Sequence, residues 1–411
     1  MRVAVVGGGL AGLAAALELV DAGHEVGLHE ARPTLGGAVQ TLPERAGDPP
    51  PPPDNGQHIA LGCFESYRRF VRRIGKERAL RREPLRLPVI DERGRVSTIG
   101  PGRRLLAYSH LPVASRIRVA RTALLLRGLT PSHHADTSFA DLLRARGQRQ
   151  EEIDRFWDVF LRPALNLPTE EAGADYGIFT VQTALLGGRG ASDLLLPTEP
   201  LGEMHGAAAG RALDSAGAEV HLDTRVESLD ELDADAIVLA VPPPEAAALL
   251  GEDPPPLEDS PIVSVHLLFD RPILKYPLAA LLDSPAHWVF DRGALTGHYP
   301  KDGGQYLTVV SSGAPELLEI RGRGLVDLMA DALRERLGDA ELHWSRVSRE
   351  PRATFAARPG TRRLRWTMRT RRPNVYLAGA WLASDWPATM EAAVRSGVAA
   401  AQAVAQDRRT T

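Results

Sequence analysis

The chain has 411 residues, a formal net charge of −3, and 44% apolar and 25% charged residues, the composition of a folded globular protein large enough for two or three cores. That balance makes no general case for nucleic acid, and the single cysteine, Cys63, excludes an internal disulfide and points to a reducing, cytoplasmic setting. No apolar run approaches the roughly 18 residues of a membrane span, and the glycines and Glu18 of the opening "MRVAVVGGGLAGLAAALELV" argue against a leader peptide.

Residues 2–6, "RVAVV", have the β-branched character of a buried parallel strand. Gly7, Gly9 and Gly12 then form GxGxxG, and Leu10, Leu13, Ala14, Leu17 and Val20 recur at helical spacing. In this order of strand, turn and helix, Gly7 permits the tight turn, Gly9 lets backbone approach a pyrophosphate, and Gly12 lets helix pack on strand. The helix N-terminus adds N–H donors and a favourable dipole. "EVGLHE" predicts a second strand ending at Glu30, where a carboxylate can accept from both ribose hydroxyls. A glycine-rich βαβ turn without a ligand is the competing reading.

The next loop, "EARPTLGGAVQT", contributes Arg32 and a second glycine pair, Gly36-Gly37. This extension resembles the FAD-binding signature of the amine oxidase and phytoene desaturase superfamily, and the resemblance selects FAD over NAD. It implies an α/β fold: a Rossmann-like FAD-binding domain of the glutathione-reductase type with an inserted α+β substrate domain. The expected division is 1–90, 191–256 and 346–411 for the FAD-binding domain, and 91–190 (helical, with an Arg-rich lid) and 257–345 (strands) for the substrate domain.

"PPPPPDNGQHIALG" (49–62) joins a proline tract, expected to be a dispensable surface excursion, to a polar pentapeptide. From Arg93 to Ala135 there are eight arginines and no Asp or Glu. Within that stretch, residues 103–129 predict a basic amphipathic helix, either the solvated face of a lid or a contact with an anionic bilayer. "FWDVFLRPALNLP" and "ASDLLLP" have few titratable groups, as a hydrocarbon pocket would. "GAEVHLDTRVESL" predicts a strand, a turn and a short strand, and "ADAIVLAVPPP" a buried strand. In "NVYLAGAWLASDWPATMEAAVRSG", a strand and the turn at Gly379 lead to a helix with Pro387 near its first turn, whose free N–H groups would face the flavin C2 carbonyl.

Taken together, "DNGQHIALGCFESY", "FWDVFLRPALNLP", "ASDLLLP" and the C-terminal stretch resemble the squalene-associated FAD-dependent desaturases, a family of hydroxysqualene dehydroxylases. The matches span nearly the whole chain. The resemblance implies reductive loss of the hydroxyl of a prenyl lipid, hydroxysqualene, to give squalene. It places a backbone contact to adenine at Val226 and the flavin contact at the Met390 amide. Where the superfamily has Gly-Asp, this chain has Gly379-Ala380, and Asp385 is the candidate replacement. With no cysteine in this segment, FAD is expected to be non-covalent, and no metal is implied.

Asn55, Gln57 and His58 are the candidate catalytic residues. His58 would be the acid or its relay, Gln57 would orient the hydroxyl, and Trp381 and Trp386 would offer π faces to a cation. Hydrogen bonding to backbone or to FAD is an equal alternative for His58. The rival functions are a phytoene-type desaturase, a flavin amine oxidase and a non-catalytic prenyl-lipid-binding flavoprotein.

Overall fold

The computed structural model describes residues 1–407. Strand Arg2–Val6 lies at the centre of a five-stranded parallel sheet, between strands Glu25–His29 and Ala236–Leu239, with Val375–Leu377 and Glu219–His221 at the edges. Val3 and Val5 face one side and Ala4 and Val6 the other, and all are buried. An uninterrupted apolar run is what a strand covered on both faces needs. Helix Leu10–Asp21 covers one face, and its Gly12 is required because a Cβ there would lie 1.8 Å from the Gly7 carbonyl oxygen. Helix Met390–Asp407 crosses it just as closely, with a Cβ on Gly397 falling 2.0 Å from the Ala11 carbonyl.

A second sheet has seven strands, in the order Leu342–Phe355, Asp259–Phe269, Gln305–Ser312, Trp288–Asp291, Leu278–Leu281, Leu87–Ile90 and Val96–Ile99. The helical segments between 139 and 185 pack apolar side chains such as Phe139, Trp157, Leu161 and Ile178 into the core beside it. A short three-stranded sheet pairs Ala60 with Leu195 and Arg82 with Leu195's other edge, joining the "DNGQHIAL" and "ASDLLLP" segments.

Several expectations are corrected. The boundary at 345/346 falls inside strand Leu342–Phe355, which pairs with Asp259–Phe269 from Leu342 to Phe355. Pro351 sits where the register shifts, on a strand at the sheet's edge, two settings in which a paired strand tolerates proline. The 90/91 boundary separates Leu87–Ile90 from its partner Val96–Ile99 in the same sheet. Residues 224–228 form no strand after Glu219–His221. The C-terminal helix begins at Met390, so Pro387 precedes it, and Thr389 is the cap, its Oγ1 accepting from the Ala392 N–H at 3.2 Å.

The proline tract is not a surface excursion either. Pro49, Pro51 and Pro53 are buried, and the Pro53 carbonyl accepts from the Leu42 N–H at 2.8 Å. Arg346 holds the excursion's base, with Nη2 donating to the Pro43 carbonyl at 2.9 Å and Nη1 paired with the Asp48 carboxylate.

Candidate functional site

The two glycine loops meet at the C-terminal end of the first strand. Gly9 bridges to Gly36, the Gly36 N–H donates to the Gly8 carbonyl at 2.8 Å, and Gly37, with φ +59°, passes so close that a Cβ there would lie 2.8 Å from the Gly9 Cα. A Cβ on Gly9 would meet nothing nearer than 3.9 Å, so the space in front of it is open. Glu30, 9% exposed, accepts from the Gly8 N–H at 2.6 Å and the Arg32 N–H at 2.9 Å. Arg32 is itself exposed and reaches the Gly37 carbonyl at 3.5 Å. This cradle of backbone N–H groups at a helix N-terminus, open at Gly9 and walled by a carboxylate, fits a dinucleotide. Val226 stands half-buried beyond it, after Thr224 whose N–H donates to the Glu30 carbonyl at 2.9 Å.

The C-terminal return closes the same region. The Gly379 N–H donates to Ser396 Oγ at 2.8 Å, tying the turn to the helix behind it. Met390, half-buried, opens that helix. The fully buried Glu391 accepts from the Tyr67 N–H at 2.8 Å and the Ser66 N–H at 3.2 Å, so one carboxylate joins the starts of two helices. Asp385 points elsewhere: it is exposed and paired with Arg362 at 2.5 Å.

The loop's organiser is a residue that pattern reading missed. Arg365, 5% exposed, donates to the carbonyls of Ala380 at 2.9 Å, Ser384 at 3.0 Å, Trp386 at 3.1 Å and Trp381 at 3.2 Å, and to Tyr176 Oη at 3.0 Å. Its guanidinium lies 4.6 Å from the Phe355 ring centroid, a cation–π contact that helps keep it buried. Nothing in its run of neighbouring arginines marks it out.

The two tryptophans are largely committed. Trp381 is buried, donates to the Val241 carbonyl at 3.2 Å and meets Trp366 edge-on. Trp386 packs against Phe64 and Phe179 with the Arg395 guanidinium 5.8 Å from its ring, and it lines a cleft of about 360 Å³ with Leu382, Arg395 and Gln402 that residues 54–58 do not line.

Residues 54–58 lie against the seven-stranded sheet. A Cβ on Gly56 would fall 2.9 Å from Ser264 Oγ. By the strand period of two, Ser264 and His266 share a face with their partners Ser348, Arg346, Thr308 and Val310, and that face continues through Phe290 and Trp288 to Leu278 and Ala280. It therefore runs from polar, under the pentapeptide, to apolar. Asn55 Nδ2 donates to the Ala38 carbonyl at 2.8 Å, and Gln57 Oε1 accepts from Arg292 at 3.0 Å, so both side chains are partly used by the fold. His58, only partly buried, sets Nδ1 3.2 Å from the Gly56 carbonyl. Burial lowers its pKa below the ordinary 6.5, against the Gly56 carbonyl and Asp54, which raise it. Burial also takes His266 down to about 3, helped by Arg292, and His205 to about 4. His205 stands behind the site with Nε2 2.7 Å from Tyr67 Oη. Cys63 is pushed up to about 12 by burial and is no thiolate.

Asn166 of "ALNLP" proves structural. Held in the left-handed region (φ 50°), it donates to the Ser260 carbonyl and Thr354 Oγ1, both at 3.0 Å, and accepts from the Gly313 N–H at 2.8 Å, clipping the ends of three strands.

The flavin containing amine oxidoreductase family model matches residues 10–405. The chain is 30% identical to a hydroxysqualene dehydroxylase of Sinorhizobium fredii, covering 100% of this chain and 99% of that one. It is 28% identical to a hydroxysqualene dehydroxylase of Rhodopseudomonas palustris (98% of each), and 26% identical to a zeta-carotene desaturase of Synechocystis (98% and 97%). Cyclohexylamine oxidase from Brevibacterium oxydans superposes with a TM-score of 0.75 at 19% identity over 99% of both chains, a likeness of fold. The fold and the glycine cradle define an FAD-dependent oxidoreductase. The chain belongs to the flavin containing amine oxidoreductases and, within them, to the hydroxysqualene dehydroxylase family.

Proposed function

We propose that this enzyme converts hydroxysqualene to squalene, the hydroxyl leaving as water. End-to-end similarity to two hydroxysqualene dehydroxylases carries the reading, and the geometry of the sheet face agrees with it. In this reading the five-stranded unit binds FAD non-covalently, through Gly7, Gly9, Gly12, Glu30, Arg32, Gly36, Gly37, Val226, Gly379 and Met390, and the seven-stranded sheet with its helical cover binds substrate. Reduced FAD supplies the hydride.

The chain's own work is protonation, orientation and the exclusion of water. Apolar residues of the sheet face, Trp288, Phe290 and Leu278, take the hydrocarbon and keep water from the cation left when the hydroxyl departs. The polar end receives the hydroxyl. With its pKa lowered, His58 is neutral near pH 7. It therefore acts as a relay, taking up a proton at Nε2 and passing it to the leaving oxygen. Product analysis tests the reaction: reduced protein should yield squalene from hydroxysqualene, whereas a desaturase, the reading favoured by the zeta-carotene desaturase likeness, would need an electron acceptor and a polyene substrate. A His58→Ala variant that keeps FAD and full turnover would remove His58 from the mechanism.

The substrate's source is part of the proposal. Helix Val113–Leu126 is apolar on both sides: Val119 and Leu126 are buried beside Ser115 and Thr122, which bond Arg118 and Gln148, while Val113, Ile117, Leu124 and Leu125 are 64, 56, 65 and 49% exposed. Exposed Arg121 and Arg127 flank them. Apolar outside and arginine alongside suit an anionic bilayer at the cytoplasmic face rather than water. No helix among the described residues is long and apolar enough to cross a membrane.

A further inference from the structure

One buried cation straps down the candidate catalytic segment. Arg292, 2% exposed, follows strand Trp288–Asp291 and reaches across to residues 52–57. Nη1 donates to Asp54 Oδ2 at 2.8 Å and to Gln57 Oε1 at 3.0 Å, and Nη2 to the Pro52 carbonyl at 3.3 Å. Asp54, 1% exposed, balances the charge, and its Oδ1 accepts from Thr41 Oγ1 at 2.7 Å and from the Leu201 N–H at 2.9 Å.

The chemistry of these partners fixes hydrogen-bond polarity. A guanidinium has donors only, so the end of Gln57 facing Arg292 is the amide oxygen, and its NH₂ is turned away. That NH₂ has no partner among the described residues. A carbonyl has lone pairs only, so His58 Nδ1, facing the Gly56 carbonyl, carries the proton. His58 Nε2 is then an acceptor while the ring is neutral. Consecutive residues thus present a donor and an acceptor. Without Arg292 the Gln57 amide would be free to turn either end outward.

We propose that Arg292 is a positioning residue that locks Gln57 with its N–H groups turned away from the guanidinium, and that these and the acceptor of His58 converge on the substrate, so that the segment selects a neutral hydroxyl. A hydroxyl can accept from one and donate to the other. A hydrocarbon can do neither, and an ammonium, which only donates, is turned away by Gln57. This inference rests on the proposed function and deepens it: the group that discriminates the alcohol is oriented from behind.

Binding to the oxidised flavoprotein tests it without requiring turnover. Hydroxysqualene and squalene are titrated in detergent, each followed by the change in flavin absorbance, with FAD content and melting temperature recorded for every variant. Wild type should prefer the alcohol by about thirtyfold, the worth of two net hydrogen bonds. Gln57→Glu keeps an acceptor toward Arg292 but removes the N–H, and should cut the preference to about fivefold, the bond to His58 alone, with FAD retained. Arg292→Lys keeps a charge for Asp54 but cannot form the fork, and should cut the preference to a similar degree. The double variant Gln57→Leu/Arg292→Lys should lose no more than Gln57→Leu alone, since both changes remove one oriented donor. Equal wild-type affinity for the two ligands, or a preference undiminished in Gln57→Glu, overturns the proposal even if Arg292→Lys fails to fold. A protein that shows the preference yet makes no squalene when reduced overturns the assigned reaction and leaves the role of Arg292 standing.

Discussion

Arg365 donates from Nη2 to the Ala380 carbonyl at 2.9 Å, one of four carbonyls of the 380–386 loop gathered on a single buried guanidinium. The loop has no regular structure of its own, so its path beside the flavin-binding turn at Gly379 depends on this side chain. Each hydrogen bond to a charged group contributes about 1.5–3 kcal/mol when lost from a buried site. Arg365→Leu should therefore weaken FAD retention by at least about tenfold and lower the melting temperature. The FAD-to-protein absorbance ratio after gel filtration reads the first effect, and an unchanged ratio would show the loop holding itself.

The glycine cradle separates folding from cofactor binding. Gly9→Ala adds a methyl with no protein atom within 3.9 Å, so the FAD-free protein should keep its melting temperature while FAD binding falls sharply, the methyl occupying the path of the pyrophosphate. Gly12→Ala puts a methyl 1.8 Å from the Gly7 carbonyl and should destabilise the FAD-free protein as well. Thermal melts with and without added FAD distinguish the two, and equal FAD binding by Gly9→Ala and wild type would contradict the assignment of the cradle.

What could be read ahead of the structure was what depends on neighbours in the chain. Gly7, Gly9, Gly12 and Glu30 lie within one βαβ unit, so their spacing alone carries their geometry. Arg292 and Arg365 act on segments more than 200 and about 15 residues away respectively, and in a chain whose cations are nearly all Arg neither has a local signature. The 345/346 boundary cuts strand Leu342–Phe355 because the strand's pairing, with its bulge near Pro351, is visible only against the partner Asp259–Phe269. The proline tract reads as solvated because the cations that hold it, Arg292 on the Pro52 carbonyl and Arg346 on Pro43 and Asp48, stand far along the chain. Asn55 and Gln57 were found for their polarity, but which of their atoms the fold already uses depends on Ala38 and Arg292.

Buried neutral histidines predict a pH dependence of stability. His266 and His287 fall to about 3, and His205 to about 4, from an ordinary 6.5, in each case chiefly through burial. Below pH 6.5 the unfolded chain binds protons that the folded chain refuses, so this stability is complete above about pH 6.5 and drains away as pH falls toward 3–4. The melting temperature should drop steadily from pH 7 to pH 5, and His266→Gln should flatten that slope. A slope unchanged in His266→Gln would place the titration elsewhere.

The exposed apolar side chains of helix Val113–Leu126 predict membrane attachment. Wild-type protein should sediment with vesicles containing anionic phospholipid and less with neutral ones, and added salt should weaken the association. Ile117→Glu with Leu124→Glu replaces two of the most exposed apolar side chains; it should release the protein without changing its melting temperature. Binding that survives both substitutions would assign the membrane contact to another surface.

An anaerobic single turnover tests the reductive dehydroxylation. The flavoprotein is photoreduced, mixed with hydroxysqualene, and followed by flavin absorbance and by product analysis of the same sample. The flavin should reoxidise with one squalene formed per flavin. Flavin that stays reduced beside unchanged hydroxysqualene, with turnover of a carotene or an amine by the oxidised form, would contradict it.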